Sequence, residues 1–522
     1  MNQKIEIYDT TLRDGTQLEG ISLSVEDKLN IIKQLDDFGV DYIEAGWPGA
    51  NPKDDELFAR LKTMPKLHNS KLVAFGSSRR ANVKVEDDIV IKNLIEAGTD
   101  VVCIVVKTSK SHVEQALKTT AQEALLMISD SIEYLVKQDR QVLVDCEHFF
   151  DGFSEDKDFT MKCLETCVES GASHLVLCDT NGGTLPQIVG KITEEVVKRF
   201  PETKVGIHTH NDLGLADANA LEAVRNGATQ VQGTINGYGE RTGNCNLITI
   251  IPSLSLKQDY ETIPEVKLKQ LTSLAYGVSE VANMPLNTQA PFVGKSAFTH
   301  KAGLHTSAIV KNKKLYEHVS PEDVGNTTRF VVSELAGAST LALKAKEFEL
   351  DVKPDQLQDV VKKVKELEFQ GYHFESAEAS LYLLIKNAMG WTHDLFETES
   401  YRVIVDDLDT SKGVALSTEA TVKLKVDGQR FISTCEGNGP VNAIDKAIRG
   451  CLREYYPQID DIVLADYKVR VIKSNLGTGA WTRVLIDSTD GKNFWTTIGV
   501  SENIIEASWK ALMDSIVYGL TL

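Results

Sequence analysis

The sequence has little that would indicate a disulfide-stabilised or membrane-bound protein. Its 522 residues include only 8 cysteines, and no two of them form a Cys-x-x-Cys pair. Several lie inside apolar runs such as HLVLCDT, so we expect buried thiols and neither disulfides nor a zinc ribbon. No stretch approaches the roughly 18 apolar residues of a membrane span. The first residues, MNQKIEIYDTT, have no apolar run typical of a signal peptide.

An excess of positive charge is also absent. The chain has 75 acidic and 56 basic residues, which gives a formal net charge of -19 at pH 7. Nucleic-acid binding normally requires a basic surface that displaces phosphate counterions, so we expect no nucleic-acid partner. The absence of a signal-peptide pattern and of a membrane span, noted above, predicts a cytoplasmic protein. With 42% hydrophobic residues, the chain has a globular composition, and its length predicts roughly two to four domains.

What is present, from residue 4 to about residue 255, is an alternation of β-rich runs and helical patterns such as 25–39. The strand candidates are IEIYDTT (5–11), YIEAGWP (42–48), KLVAFGS (71–77), DVVCIVV (100–106), QVLVDCEHF (141–149), HLVLCDT (174–180), KVGIHTH (204–210) and TQVQGTIN (229–236). Such βα units, spaced by about 30 residues, predict an α/β fold, a closed (β/α)8 TIM barrel. The alternative is an open doubly wound sheet, but the Gly-rich turn expected after its first strand is absent from TTLRDG.

The rest of the chain predicts two further regions. Helical patterns at 264–283, 355–368 and 376–389 indicate a helical connecting region. From about residue 398 the chain is rich in strands again and contains an imperfect internal repeat. The predicted domains are therefore a catalytic barrel at 1–260, helical linker subdomains at 261–396 and a C-terminal α+β module at 397–522.

The repeat in the C-terminal module is a strand, a hairpin and a helix. TVKLKVDG (421–428) and WTRVLIDSTDG (481–491) both end in the Asp-Gly signal of a tight hairpin. Each is followed by a short run that leads into a predicted helix, near Val441 and near Ser501. Two such units predict a compact module that is separate from the barrel.

Unusual polar residues lie at the predicted ends of the barrel strands, where the functional groups of such barrels gather. In GIHTHND, His208 and His210 are two residues apart, so both side chains point to the same face of the strand. Two imidazoles and the carboxylate of Asp14 would make three ligands of a divalent-metal site, and Asn244 would add an amide oxygen. The alternative is a pair of hydrogen-bonded structural histidines.

Three motifs resemble one enzyme family. DTTLRDGTQ (9–17), HTHND (208–212) and GYGERTGNCNL (237–247) resemble the acyl-CoA condensing and cleaving enzymes with a DRE-type TIM barrel. This family contains the isopropylmalate, homocitrate and citramalate synthases and, more distantly, hydroxymethylglutaryl-CoA lyase. The likeness extends through KSAFTHKAGLHTSAIVKN (295–312) and the C-terminal repeat, so it covers nearly the whole chain. Segments such as DCEHFFDG (145–152) look most like the long-form citramalate synthases.

The resemblance implies a reaction and a catalytic set. The reaction is a metal-dependent Claisen condensation of acetyl-CoA with a short 2-oxo acid, with pyruvate giving (R)-citramalate for isoleucine synthesis. The divalent cation would be Mn, Mg, Zn or Co. His305 matches the histidine that removes a proton from the acetyl group, and Tyr316 is a further candidate for the same pocket. Glu147 would orient His305 or activate the water that hydrolyses the thioester.

Three side chains are predicted to bind substrate: Arg13, Asp14 and Thr180. By its position in the motif, Arg13 stabilises the alkoxide that forms at the keto carbon, next to the metal ligand Asp14. A salt bridge from Arg13 to Asp14 or to another carboxylate is the alternative. Thr180 would form a hydrogen bond to the carboxylate of the oxo acid, or it would only cap the loop after its strand.

The identity of the 2-oxo acid substrate is supported by fewer observations than the type of reaction. Isopropylmalate synthases usually have an aspartate two residues after the catalytic histidine, whereas this chain has Ser307. This departure weakens an assignment to 2-isopropylmalate synthase, which remains an alternative, as does homocitrate synthase. A retro-aldol acyl-CoA lyase would not need a regulatory repeat, so the C-terminal module argues against this activity. A non-catalytic amino acid sensor is the alternative from another class.

The resemblance also implies a dimeric C-terminal domain that senses a branched-chain end product, isoleucine or leucine. In CEGNGPVNA (435–443), glycine and asparagine residues precede a predicted helix, whose free N–H groups would hold the effector's carboxylate. A helix cap with no ligand is the alternative.

Overall fold

A computed structural model describes residues 3–333, 336–406, 417–472 and 480–522. Contacts within the chain separate two compact units. The first contains the described residues up to Phe298 together with Val319–Thr327, and the second contains Thr299–His318 and the described residues from Thr328 to Leu522.

The first unit is built on a closed barrel of eight parallel strands, in which each strand pairs with the next and β8 pairs with β1. The strands are β1 Glu6–Asp9, β2 Tyr42–Gly46, β3 Lys71–Ser77, β4 Val101–Lys107, β5 Gln141–Glu147, β6 His174–Asp179, β7 Lys204–Thr209 and β8 Gln230–Gly233. The predicted (β/α)8 barrel is therefore confirmed, and the open sheet is wrong.

The strands are nearly continuous apolar runs because helices cover their outer face while side chains fill the barrel. All residues of β6 are buried, and so are all residues of β2. The helices of this unit are α1 Val25–Phe38, α2 Pro52–Leu61, α3 Ile89–Glu96, α4 Lys110–Gln115, α5 Ala121–Lys137, α6 Phe149–Glu155, α7 Lys157–Glu169, α8 Pro186–Arg199, α9 Ala216–Arg225, α10 Leu247–Lys257, α11 Glu265–Leu268 and α12 Leu271–Val281.

Local sequence signals set the ends of α1, the helix predicted at 25–39. Ser24 and Asp27 form a capping box, in which each side chain accepts a hydrogen bond from the backbone N–H of the other residue. Gly39 ends the helix in the left-handed region at φ 93°, which glycine adopts without steric cost.

The single helix predicted at 264–283 is wrong, because the structure divides it into α11 and α12. A segment of the same unit that is distant in sequence packs against the chain between α11 and α12. Gly325 lies so close to the carbonyl oxygen of Lys269 that a Cβ on the glycine would be 2.1 Å from it. The hydroxyl of Thr272 donates a 2.7 Å hydrogen bond to the carbonyl of Val324. This packing, which depends on residues far along the chain, leaves no signal in the local sequence.

The second unit begins with short elements and helices: β9 Thr299–His300, α13 Gly303–Lys311, β10 Arg329–Phe330, α14 Ala338–Glu347, α15 Pro354–Gln370 and α16 Glu378–Ala388. The helices predicted near 355–368 and 376–389 are confirmed as α15 and α16. The predicted boundary near 396 lies inside this unit and stays a prediction, as does the boundary near 260, since the first unit continues to Phe298.

The C-terminal repeat is confirmed and is larger than predicted, because each copy has one more strand. Each copy is an antiparallel three-stranded sheet followed by a helix. The first contains β11 Glu397–Asp406, β12 Ser417–Val426, β13 Gln429–Gly437 and α17 Pro440–Leu452, and the second contains β14 Val463–Ile472, β15 Trp481–Thr489, β16 Phe494–Ser501 and α18 Ile504–Thr521. The predicted hairpin turn Asp427-Gly428 has both residues at positive φ.

One carboxylate of this unit lies partly buried against a hydroxyl group. The hydroxyl of Ser380 on α16 donates a 2.7 Å hydrogen bond to Asp514 on α18 and accepts one from the backbone N–H of Ile498. Burial raises the pKa of Asp514 to about 6. In the described part of the chain, no helix has the length and apolar character needed to cross a membrane.

Candidate active site

The open end of the barrel holds a cavity of about 620 Å³. The carboxyl ends of the strands surround it, because all strands of a parallel barrel end on the same side. Six of the residues predicted from the sequence line this cavity: Arg13, Asp14, Glu147, Thr180, His208 and His210.

Two histidines and a carboxylate converge in the cavity. The Nε2 atoms of His208 and His210 are 3.3 Å apart. Asp14 Oδ2 is also 3.3 Å from Nε2 of His208. All three residues are buried. Asp14 follows β1, whereas the histidines lie at the end of β7, so the closure of the barrel brings them together.

Asn244 completes this cluster. Its side-chain nitrogen lies 3.2 Å from both Asp14 Oδ2 and His208 Nε2. Its Oδ1 atom is buried and has no hydrogen-bond partner among the described residues, which is unusual for a buried amide. In the described ranges, no group of three or more His, Cys, Asp and Glu side chains is already arranged to hold a metal ion.

The chemistry of the donor set nevertheless fits a divalent cation. One carboxylate, two imidazoles and an unpartnered amide oxygen are ligands of the kind that such cations take in proteins. Donor atoms separated by about 3 Å can reach a common ion with small side-chain movements. Asp14, His208, His210 and Asn244 are therefore a candidate cation site, and their role as ligands stays a prediction.

The electrostatics keep the donors in the forms that bind cations. Burial alone would raise the pKa of Asp14, but the positive charge of Arg13, with smaller contributions from the neighbouring imidazoles and from the hydrogen bond of Asn244, holds that pKa below its ordinary value. Burial and the neighbouring His208 lower the pKa of His210 to about 4. At neutral pH, Asp14 is therefore a carboxylate and His210 a neutral imidazole.

Arg13 is held rigidly at the edge of the cavity. Its Nε donates a 2.6 Å hydrogen bond to Glu44 Oε1, and its Nη1 pairs with Asp14. The guanidinium lies 3.8 Å from the centre of the Phe75 ring. The salt bridge to Asp14, considered above as the alternative to a catalytic role, is present. It leaves Nη2 of Arg13 available, so it is compatible with a role in binding substrate.

Glu44 is a residue of the site that the sequence analysis missed. It is fully buried on β2, and the hydroxyl of Tyr8 donates a 2.5 Å hydrogen bond to its second carboxylate oxygen. Burial raises its pKa, and Arg13 opposes this shift. A signal was present, because Glu44 is an acidic residue in the otherwise apolar run YIEAGWP.

Asp145 and Gln232 were also missed. Asp145 on β5 is buried, and Gln232 on β8 is fully buried inside the barrel. Gln232 donates a 3.0 Å hydrogen bond from Nε2 to Asp145 Oδ1 and lies 2.8 Å from Nδ1 of His208 through its Oε1. Asp145 interrupts an apolar strand as Glu44 does, but nothing in the sequence indicates its partners.

Glu147 and Thr180 line the cavity with their own partners. Glu147 forms a salt bridge with Lys107. The hydroxyl of Thr180 accepts a 2.8 Å hydrogen bond from the backbone N–H of His148, which has the left-handed backbone conformation at φ 56°. Thr180 thus holds the end of the neighbouring strand β5. This is a structural contact, similar to the loop cap considered above as the alternative role of Thr180.

His305 and Tyr316 belong to the second unit. Their rings stack with centroids 4.1 Å apart, and both side chains are exposed. His300 lies near them in sequence and pairs with the buried Glu317 at 3.5 Å, which agrees with a structural role for His300. The catalytic roles of His305, Tyr316 and Glu147 stay predictions.

The loop predicted to hold an effector leads into α17. Gly437 has no room for a side chain, since a Cβ there would lie 2.5 Å from the backbone nitrogen of Ala443. The side chain of Asn442 accepts a 3.2 Å hydrogen bond from the backbone N–H of Asn438. Gly439, which precedes α17, has no side chain that could cap its first turn. This geometry agrees with a helix start, and the effector site stays a prediction.

Family models match three consecutive parts of the chain. The HMGL-like model matches residues 4–278, the model described as homocitrate synthase post-HMGL domain-like matches 292–371, and the LeuA allosteric (dimerisation) domain matches 375–520. The first covers the barrel together with α11 and most of α12.

Whole-length relatives are similar to this chain as well. The (R)-citramalate synthase of Aquifex aeolicus is 53% identical over 527 residues, which cover 100% of this chain and 98% of the relative. The (R)-citramalate synthase of Streptomyces coelicolor is 46% identical over 523 residues, which cover 100% of this chain and 97% of the relative. Among solved structures, the HMG-CoA lyase of Bacillus subtilis aligns with a TM-score of 0.48 and 24% identity, over 54% of this chain and 95% of that one.

Proposed function

The chain belongs to the HMGL-like family, and from this premise we propose that it condenses acetyl-CoA with pyruvate to form (R)-citramalate and CoA. The observation that carries the proposal is the similarity to (R)-citramalate synthases over the whole length of both chains. The convergence of Asp14, His208 and His210 in the barrel cavity supports it.

The reaction forms a carbon–carbon bond and then breaks a thioester. A base removes a proton from the methyl group of acetyl-CoA, and the resulting enolate carbon attacks the keto carbon of pyruvate, whose oxygen takes up a proton. Water then hydrolyses the thioester and releases CoA. We assign the base to His305 and the activation of water to Glu147, both on the family resemblance.

Asp14, His208, His210 and Asn244 would hold a divalent cation, which would polarise the keto group of the oxo acid when bound. Arg13 provides a second positive group for the oxygen that gains negative charge. Its Nε and Nη1 are engaged by Glu44 and Asp14, so we assign Nη2 to the substrate. A guanidinium that is already fixed needs little reorganisation when negative charge develops on this oxygen. We assign Thr180 to the carboxylate of pyruvate.

A panel of 2-oxo acids tests the proposal. The purified full-length protein is incubated with acetyl-CoA and pyruvate, 2-oxoisovalerate or 2-oxoglutarate, and free CoA is followed with a thiol reagent, with and without a chelator. We expect the highest turnover with pyruvate and none with the chelator. Equal or greater turnover with 2-oxoisovalerate or 2-oxoglutarate would instead indicate 2-isopropylmalate or homocitrate synthase. No CoA release with any acid would favour a non-catalytic sensor.

We also propose that the C-terminal module regulates this activity as part of a homodimer. The match to the LeuA allosteric (dimerisation) domain supports this proposal. The effector would be a branched-chain amino acid, isoleucine or leucine. Titration of each amino acid into the pyruvate assay identifies the effector, and analytical ultracentrifugation measures the oligomeric state. A monomer whose turnover neither amino acid changes would contradict the proposal.

A further inference from the structure

His208 is engaged at both of its ring nitrogens. Its Nε2 faces Asp14, His210 and the side-chain nitrogen of Asn244, whereas its Nδ1 faces Oε1 of Gln232 at 2.8 Å. A neutral imidazole carries one proton and offers a lone pair only at the other nitrogen. The position of that proton therefore decides whether His208 can bind a cation on the side of the cavity.

The orientation of the Gln232 amide decides the position of the proton. Gln232 donates from Nε2 to Oδ1 of Asp145 at 3.0 Å, and the thiol of Cys103 donates to the same oxygen at 3.3 Å. Because Asp145 accepts both bonds, the nitrogen of the amide faces Asp145 and the oxygen faces His208. An amide oxygen can only accept, so Nδ1 of His208 must carry the hydrogen.

We propose that Asp145 and Gln232 are positioning residues, which hold His208 in the tautomer whose Nε2 lone pair faces the candidate cation site. They form one hydrogen-bonded chain from β5 through β8 to β7. Neither residue need touch the substrate for this role. The inference rests on the proposed function, because the cation is the one required for the condensation. Partners of this kind on ligand histidines commonly affect metal affinity.

Gln230 shows that a buried glutamine in this barrel does not by itself require such partners. It lies on the same strand two residues earlier and is also fully buried. Both polar atoms of its side chain lack a hydrogen-bond partner within the described residues. Gln230→Met is therefore a matched control, since it makes the same change on the same face of β8 away from His208.

The test measures binding of Mn²⁺ to the full-length protein by isothermal titration calorimetry, after metal removal with a chelator and dialysis. We expect Gln232→Met to weaken binding by roughly 10- to 100-fold. Gln232→Glu keeps an acceptor beside Nδ1, so it should bind Mn²⁺ more tightly than Gln232→Met. Gln230→Met should bind like the wild type. Thermal unfolding of the metal-free proteins reports whether each variant folds.

Three results would overturn the inference. Wild-type affinity in Gln232→Met would show that the amide has no influence on His208. Equal weakening in Gln230→Met and Gln232→Met would show a general effect of packing. If Gln232→Met does not fold, a loss of Mn²⁺ binding in folded Gln232→Glu overturns the inference and retained binding supports it. A wild-type protein that binds none of Mn²⁺, Mg²⁺, Zn²⁺ and Co²⁺, each titrated in the same way, would contradict the proposed function itself, and with it this inference.

Discussion

Nε2 of His208 lies 3.3 Å from Nε2 of His210 at the open end of the barrel, and the two imidazoles face the same cavity. If both hold one cation, a chelator should abolish CoA release and added Mn²⁺ should restore it. His210→Ala should lower the restored turnover by more than roughly 100-fold, because one ligand is lost. The thiol assay with pyruvate measures both effects.

The control for this prediction is His68→Ala. Only the backbone N–H of His68, not its ring, donates to Asp36, and His68 lies outside the lining of the cavity. This variant should keep wild-type turnover. If His210→Ala regained full turnover when Mn²⁺ is added, His210 would not be a ligand of the candidate site.

Arg13→Lys tests the fixed guanidinium. A lysine ammonium cannot reproduce the separate contacts of Nε with Glu44 and Nη1 with Asp14 while presenting a third nitrogen to the substrate. We expect turnover to fall by about 10²–10³-fold, the effect typical of losing one oxyanion donor. The fold should survive, as circular dichroism would show.

Arg60→Lys is the matched control for that change. Arg60 pairs with Glu26 at the surface, where both side chains are exposed, so its replacement should leave turnover unchanged. If Arg13→Lys retained turnover close to that of Arg60→Lys, Arg13 would have only the structural role of its salt bridges.

Asp514 predicts a dependence of stability on pH. Its pKa in the folded protein is about 6, above the ordinary value of 3.8, so the folded state binds more protons than the unfolded state between these two values. Stability from this group is therefore complete below about pH 4 and is lost as the pH rises through 6. Asp514→Asn should increase the free energy of unfolding at pH 7.5 by about 1–2 kcal/mol.

The gain from Asp514→Asn should diminish as the pH falls, because the protonated carboxyl group of the wild type then resembles the amide. Urea unfolding of both proteins at pH 7.5 and pH 5 measures the difference. Asp490→Asn is a control on the surface, where Asp490 is hydrogen-bonded by Asn493 and its pKa is lowered instead. A gain for Asp514→Asn that is larger at pH 5 than at pH 7.5 would contradict the assignment.

Gly437 and Gly439 form a matched pair for the start of α17. A Cβ at Gly437 would lie 2.5 Å from the backbone of Ala443, whereas a Cβ at Gly439 would have no atom within 4 Å. Gly437→Ala should therefore destabilise the protein by about 1–3 kcal/mol, because the loop or the helix must shift. Gly439→Ala should change stability by less than about 0.5 kcal/mol. Urea unfolding compares them, and equal stability of the two variants would contradict the close approach of Gly437 to Ala443.

Much of the barrel was predictable because its signals are local. A strand buried on both faces is a continuous apolar run, as in HLVLCDT, and a helix such as α1 begins and ends at capping residues next to it in sequence. His208 and His210 were predictable as neighbours because the alternation of side chains along a strand is fixed.

The features that the sequence analysis did not predict depend on contacts between residues that are far apart in the chain. Glu44 was visible as an acid in an apolar strand, but Tyr8 and Arg13 become its partners only after β1 pairs with β2. The interruption between α11 and α12 follows from packing against a distant segment, since 52 residues separate Thr272 from its partner Val324. Such partners cannot be derived from periodicity.

The first and last strands of the barrel meet where β1 pairs with β8, and the loops that follow them carry Asp14 and Asn244, which are hydrogen-bonded to each other. A cation held by both residues would bridge the two ends of the chain segment that forms the cylinder. Its binding energy would then add to the cost of opening this junction, since an ion that binds only the closed form stabilises that form by mass action. Asp14 and Asn244 would thus both bind the cation needed for the reaction and stabilise the closed form of the barrel.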